Sequence, residues 1–167
     1  MNQPNPHTKS AALLRQGTRH LQSGKTSMAL PILEEAYALD SGNFDVALNL
    51  SGAYILNGRF KLAAPILEAL SEQYGKSPQV WTNLGAAYLG NPALAKDEQQ
   101  LRAIGAFEKA LQLDPTAHSV AYNIGLIYRN RRDKEMAIRW FRQAVANDPH
   151  DKDAASQLRR LEEDSQL

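Results

Sequence analysis

The chain contains no cysteine, which excludes disulfides, thiolate metal sites and thiol nucleophiles. It also lacks any stretch approaching the roughly 18 to 20 consecutive apolar residues that a bilayer-spanning helix requires. A dominant charge is missing too, because 19 Lys and Arg stand against 18 Asp and Glu, a net charge of +1. That balance excludes a whole-molecule attraction to polyanions, so any electrostatic function has to be local. Met1 to Ser10 are polar, include Pro4 and Pro6 and hold no apolar core, and so do not read as a secretory signal. The default expectation is a cytoplasmic protein with a disordered leader over residues 1–9.

Catalytic signatures are equally scarce. His7, His20, His118 and His150 are scattered without metal-ligand spacing, no glycine loop is built to cradle phosphate, and no Ser, His and Asp set has a recognisable context. The sequence therefore predicts no enzyme, no cofactor and no metal.

What the chain does have is a period. Small residues at Gly17, Ser51, Gly85 and Gly125 are spaced by 34, 34 and 40, and Ala29, Ala63, Ala103 and Ala137 by 34, 40 and 34. Both sets are satisfied by one repeat with six extra residues between Gly85 and Ala103. Within a repeat the apolar spacing is helical and comes as two runs: Trp81, Leu84, Gly85 and Tyr88, then Ala103, Phe107 and Ala110. Each repeat is thus a helix hairpin, with helices predicted near 10–22, 27–39, 44–57, 60–73, 78–90, 99–113, 118–131, 134–147 and 152–164. A small residue where the two helices cross admits a large one from the other side, so Gly85 and Gly125 make room that Tyr88, Phe107, Tyr128 and Phe141 fill. Pro31 and Pro65 recur 34 apart near the start of second helices, where a missing N–H costs least.

These residues resemble the tetratricopeptide repeat family. Repeat three carries its pattern as Trp81, Leu84-Gly85, Tyr88, Ala103, Phe107, Ala110 and Pro115, and repeat four as Ile124-Gly125, Tyr128, Ala137, Phe141, Ala144 and Pro149. Repeat two keeps Leu50-Ser51, Tyr54, Ala63 and Leu67, and repeat one keeps Leu13, Gly17, Ala29, Leu33 and Ala36 with Gln16 and His20 at normally apolar positions. The resemblance implies an all-α, right-handed superhelical solenoid of antiparallel hairpins. Its repeats span 10–43, 44–77, 78–117 and 118–151 in a single domain of residues 10–167. Residues 152–164 close the stack as a capping helix, with Ala154, Leu158 and Leu161 on the inner face.

By the same resemblance the concave face is lined by the first helix of each repeat, and its function is to bind a peptide or helix of another protein. Asn49, Asn83 and Asn123 recur there although Asn is a poor helix residue, so something compensates for it. Two readings are open: the amides pair with the backbone of a bound segment, or they bond a neighbouring helix. Ser119, Tyr122, Leu126 and Arg129 complete the candidate groove. Some members of the family clamp the terminal carboxylate of chaperones with Lys, Asn and Arg, but the matching positions here (Leu14, Thr18, Asn49, Gln79, Asn83, or Leu48, Gly52, Asn83, Ser119, Asn123) lack the cations.

The six cations Arg129, Arg131, Arg132, Lys134, Arg139 and Arg142 against Asp133 and Glu135 are the one charged segment. It supports an alternative reading as an RNA-binding repeat, but no aromatic ladder accompanies it and a solvated helix end explains it as well. Self-association is a further alternative. The excess residues, 90–102, read either as a contact loop or as a neutral lengthening of a turn.

Overall fold

The structure is a computed structural model and describes residues 5–117 and 119–163. Among the described residues it is all-helical, with α1 Pro6–Gln22, α2 Thr26–Leu39, α3 Phe44–Leu56, α4 Phe60–Gln73, α5 Pro78–Leu89, α6 Asp97–Leu113, α7 Val120–Asn130, α8 Lys134–Asn147 and α9 Lys152–Glu163. They divide at the Lys76–Ser77 junction into two compact units, α1–α4 and α5–α9. In each, successive helices pack as antiparallel hairpins, the fold class of the α-solenoids.

Polar residues set the helix starts. Asn43 accepts the amide of Val46, Ser77 that of Val80, Asp133 that of Met136 and Asp151 that of Ala154, each satisfying an otherwise orphaned donor. The same chemistry starts α1 earlier than residue 10: Asn5 accepts the amide of His7 and Pro6 occupies the first turn. Residues 5–9 are therefore capped and helical rather than disordered, while residues 1–4 lie outside the described residues. Lys9 pairs with Glu35 at 2.7 Å, His7 lies 3.0 Å from Asp40, and the buried Ser10 donates to the carbonyl of Ala36 at 2.9 Å. At the other end, residues 164–167 lie outside the described residues, so the cap is described to Glu163.

One further start differs from expectation. Ser119 adopts a left-handed φ of 61° and makes no side-chain cap bond, which delays α7 to Val120. Pro31 and Pro65 lie inside α2 and α4, a full turn beyond the N-terminus. Both rings are exposed, and so are Ser27 and Lys61, whose carbonyls lose their amide partners on the side of the helix that solvent reaches.

The small and large positions meet as the period demands. A Cβ on Gly85 would lie 2.5 Å from the Phe107 ring, one on Gly125 2.8 Å from Phe141, and one on Gly17 2.6 Å from Leu33. Phe107, Phe141 and Leu33 are fully buried. Tyr88 and Tyr128 play another part: both are half-buried at the margin of the core, and the Arg102 guanidinium sits 3.9 Å from the Tyr88 ring. Repeat two sets Ser51 against the equivalent of the large position, Leu67, both fully buried, with the Ser51 hydroxyl donating to the Leu48 carbonyl at 2.8 Å.

The six excess residues are shared between two elements. The other hairpin turns are three residues long (23–25, 57–59, 131–133), whereas this one runs from 90 to 96, and α6 has 17 residues where α2, α4 and α8 have 14. The segment is not slack. Asn130 donates to the Pro92 carbonyl at 2.6 Å, Arg131 pairs with Asp97, and the buried Gln100 donates to the Ala95 carbonyl while accepting from Arg131. The long turn is strapped to the α7–α8 turn.

Candidate functional site

In the first unit, α1 and α3 form the walls of a groove of about 440 Å³ lined by Leu14, Arg15, Thr18, Arg19, Gln22, Asp45 and Asn49. Arg15 and Arg19 are exposed, one helical turn apart, and among the described residues neither forms an ion pair. Thr18 and Asn49 form the polar bridge between the walls: the Thr18 hydroxyl donates to the Asn49 Oδ1 at 3.4 Å, and the Asn49 Nδ2 donates to the carbonyl of Asp45 at 2.8 Å. Asn49 thus compensates its helix position by bonding its own helix and its neighbour. Asn83 on α5 and Asn123 on α7 are half-buried, and their side-chain amides make no hydrogen bond among the described residues. The Asn row therefore splits: one member is engaged and two are open.

In the second unit a pocket of about 420 Å³ lies between α7 and the α8–α9 turn, lined by Ser119, Tyr122, Asp148, His150, Asp151, Lys152 and Asp153. Tyr122 forms its apolar wall. Its ring lies 5.7 Å from that of Phe141 and packs on the buried cluster of Ala121, Ala144 and Ala154. Burial raises the Tyr122 hydroxyl above the ordinary tyrosine range, and the Asp153 and Asp151 carboxylates add to it while Arg129 opposes. The pocket thus gathers Asp148, Asp151 and Asp153, with Lys152 among them, beside an aromatic wall.

Of the seven residues predicted to form a groove, the structure brings Ser119 and Tyr122 together in this pocket. Asn49 lies in the groove of the first unit, and Asn83, Asn123 and Leu126 are half-buried on their first helices. Arg129 is turned to the capping helix, donating to Gln157 at 2.8 Å and to the Asn130 side chain at 3.2 Å. Three of the six cations between 129 and 142 are similarly engaged, Arg131 with Asp97 and Arg142 with Glu162 at 2.6 Å being the others. The sequence reading missed Arg15, Arg19 and the three aspartates. For the arginines an available signal was their spacing of four on α1, which places them on one helical face.

Each unit is built from helix hairpins packed side by side, which defines a helical-repeat interaction scaffold. Residues 20–87 and 101–152 match the tetratricopeptide repeat family, and the chain belongs to that family. No curated protein matches it in sequence. Among solved structures it is similar to a thermophilic tetratricopeptide repeat protein of Thermus thermophilus, with a TM-score of 0.78 and 19% identity over 91% of this chain and 80% of that one. MamA of Desulfovibrio magneticus follows the same fold with a TM-score of 0.70 and 22% identity over 86% and 77% of the two chains. A chain of the APC/C hetero-tetramer Cut9–Hcn1 superposes with a TM-score of 0.77 and 22% identity, covering 92% of this chain but 30% of its own. Members of such a family are in general non-enzymatic scaffolds for protein–protein interaction. No helix among the described residues is long and apolar enough to cross a membrane.

Proposed function

We propose that the chain is an adaptor that binds a peptide or helix of a partner protein along the first-helix faces of its repeats, in the assembly of a larger complex. The observation that carries this reading is the groove between α1 and α3, where two unpaired guanidinium groups stand one turn apart beside the Thr18 hydroxyl, the Asn49 amide and the apolar Leu14. Arginines at that spacing suit the carboxylates of an acidic segment, which they bind with charge-assisted hydrogen bonds. Asp45 on the facing wall favours a basic residue among the acidic ones. The pocket at Tyr122 has the opposite polarity and suits a Lys or Arg stacked against its ring. Membership of a hetero-tetrameric assembly by a protein of the same fold supports the assembly role.

Selection of ligands from a displayed peptide library tests the reading. The expected outcome is enrichment of acidic sequences, with Arg15→Gln/Arg19→Gln weakening them by at least ten-fold and leaving the melting temperature nearly unchanged, since both side chains are exposed and no like charge is placed at the end of α1. Undiminished binding by that variant would refute the groove as the site.

A further inference from the structure

Because the hairpins are antiparallel, both of their turns in the first unit, residues 23–25 and 57–59, emerge at one edge, and the α2–α3 turn emerges at the other. The two edges differ in chemistry. Residues 21–28 and 55–62 contain no Asp or Glu but carry Lys25, Arg59 and Lys61, of which Arg59 reaches back to Glu34 at 3.6 Å and the two lysines are exposed. The same short stretches hold three of the exposed large apolar side chains, Met28 (52%), Leu56 (64%) and Leu62 (49%). At the opposite edge stand Asp40 and Asp45, and the exposed ring there, Tyr74, packs at a tilt of 55° on Phe44 with centroids 4.5 Å apart.

The shape of the basic edge narrows its occupant. Gly24 and Gly58, at φ 69° and 70°, form the turn tips with nothing within 4 Å of where a Cβ would lie, so the tips project into open space. A bound peptide needs a concavity, and a second copy offering its acidic edge would bring no apolar cavity for three protruding side chains. A fluid anionic surface meets a convex, basic, apolar edge without either. We propose that this edge docks the chain peripherally on an anionic lipid surface, with Met28, Leu56 and Leu62 entering the interface and Lys25 and Lys61 at headgroup level. The side chains that make this contact are distinct from those lining the α1–α3 groove, although Gln22 of the groove adjoins the first turn.

Flotation with phosphatidylcholine vesicles, with and without a phosphatidylglycerol fraction of about one third, tests the proposal. The full chain is expected to float with the anionic vesicles alone and to be released by salt. Leu56→Ser/Leu62→Ser should abolish most of the binding, and Lys25→Gln and Lys61→Gln should each weaken it about five-fold. All four positions are exposed, so melting temperatures stay unchanged. Absence of binding to anionic vesicles, equal binding to neutral ones, or binding indifferent to the leucine variant overturns the proposal. So does concentration-dependent self-association in sedimentation velocity that the leucine variant removes, which would assign the edge to a second copy.

Discussion

Gly85 illustrates how much of this molecule is decided one side chain at a time. A methyl group there meets the Phe107 ring at 2.5 Å, and Phe107 is completely buried, so it cannot retreat. Overpacking of this kind costs roughly 1–3 kcal/mol, against about 1 kcal/mol gained from the better helix propensity of alanine. Gly85→Ala should therefore lower stability by about 1 kcal/mol in urea unfolding, and adding Phe107→Leu should recover part of the loss, as the Ser51–Leu67 pairing of repeat two suggests. A raised melting temperature in the single variant would contradict the packing account. Tyr54 makes a second residue-scale case. Its hydroxyl is held above the ordinary tyrosine range by burial first and then by donation to the Glu34 carboxylate at 3.0 Å. A raised folded pKa means that the protonated form is favoured in the native state, so the contribution is complete below about pH 10 and is lost as pH rises past it towards the folded value. Tyr54→Phe should cost about 1 kcal/mol at neutral pH and flatten the alkaline decline of stability in part, Tyr122 retaining its own share. An unaltered alkaline limb in thermal melts would show that Tyr54 is not coupled to folding.

Among the elements, the extended α5–α6 turn depends on one buried side chain. Gln100 uses its amide both ways, towards Ala95 within its own segment and towards Arg131 of the α7–α8 turn. Gln100→Ala leaves a carbonyl and a guanidinium with fewer partners, a loss of roughly 1–3 kcal/mol. The expected result is a lower urea midpoint together with faster tryptic cleavage after Lys96; a turn that stays protease-resistant would show that the strap is redundant. The period made the excess residues legible at once, since two independent sets of small residues bracket them. Their division between turn and helix was not legible, because nothing local in the stretch from Gly90 to Arg102 reveals that Asn130 and Arg131 anchor it. Helix starts show the same limit. The Asn5 cap and Pro6 are a readable start signal, but Pro4 and Pro6 also suit an irregular leader, and the tie from Ser10 to Ala36 that settles the matter spans two helices.

For the molecule as a whole, hairpin order followed from repeating apolar positions, because a packed core leaves its period in the chain. The candidate site did not follow in the same way. Asn49, Asn83 and Asn123 share one repeat position, yet the Asn49 amide is engaged by Asp45 of its own helix and by Thr18 of α1 while the other two make no such bond, and the Thr18 contact depends on a neighbouring helix. The aspartates beside Tyr122 come from the turn after α8 and from the first turn of α9, and only folding brings them to Ser119. Surface chemistry is governed by such juxtapositions and need not obey the period. The strap between the long turn and the α7–α8 turn has a consequence for motion in the second unit. In a repeat array, neighbouring hairpins open in proportion to the strength of the interface between them. Polar ties from Asn130 and Arg131 to Pro92, Asp97 and Gln100 join two hairpins at their tips as well as along their packed sides. Deuterium should therefore enter the amides of α6 and α7 together, in one cooperative opening, whereas the cap α9 exchanges first.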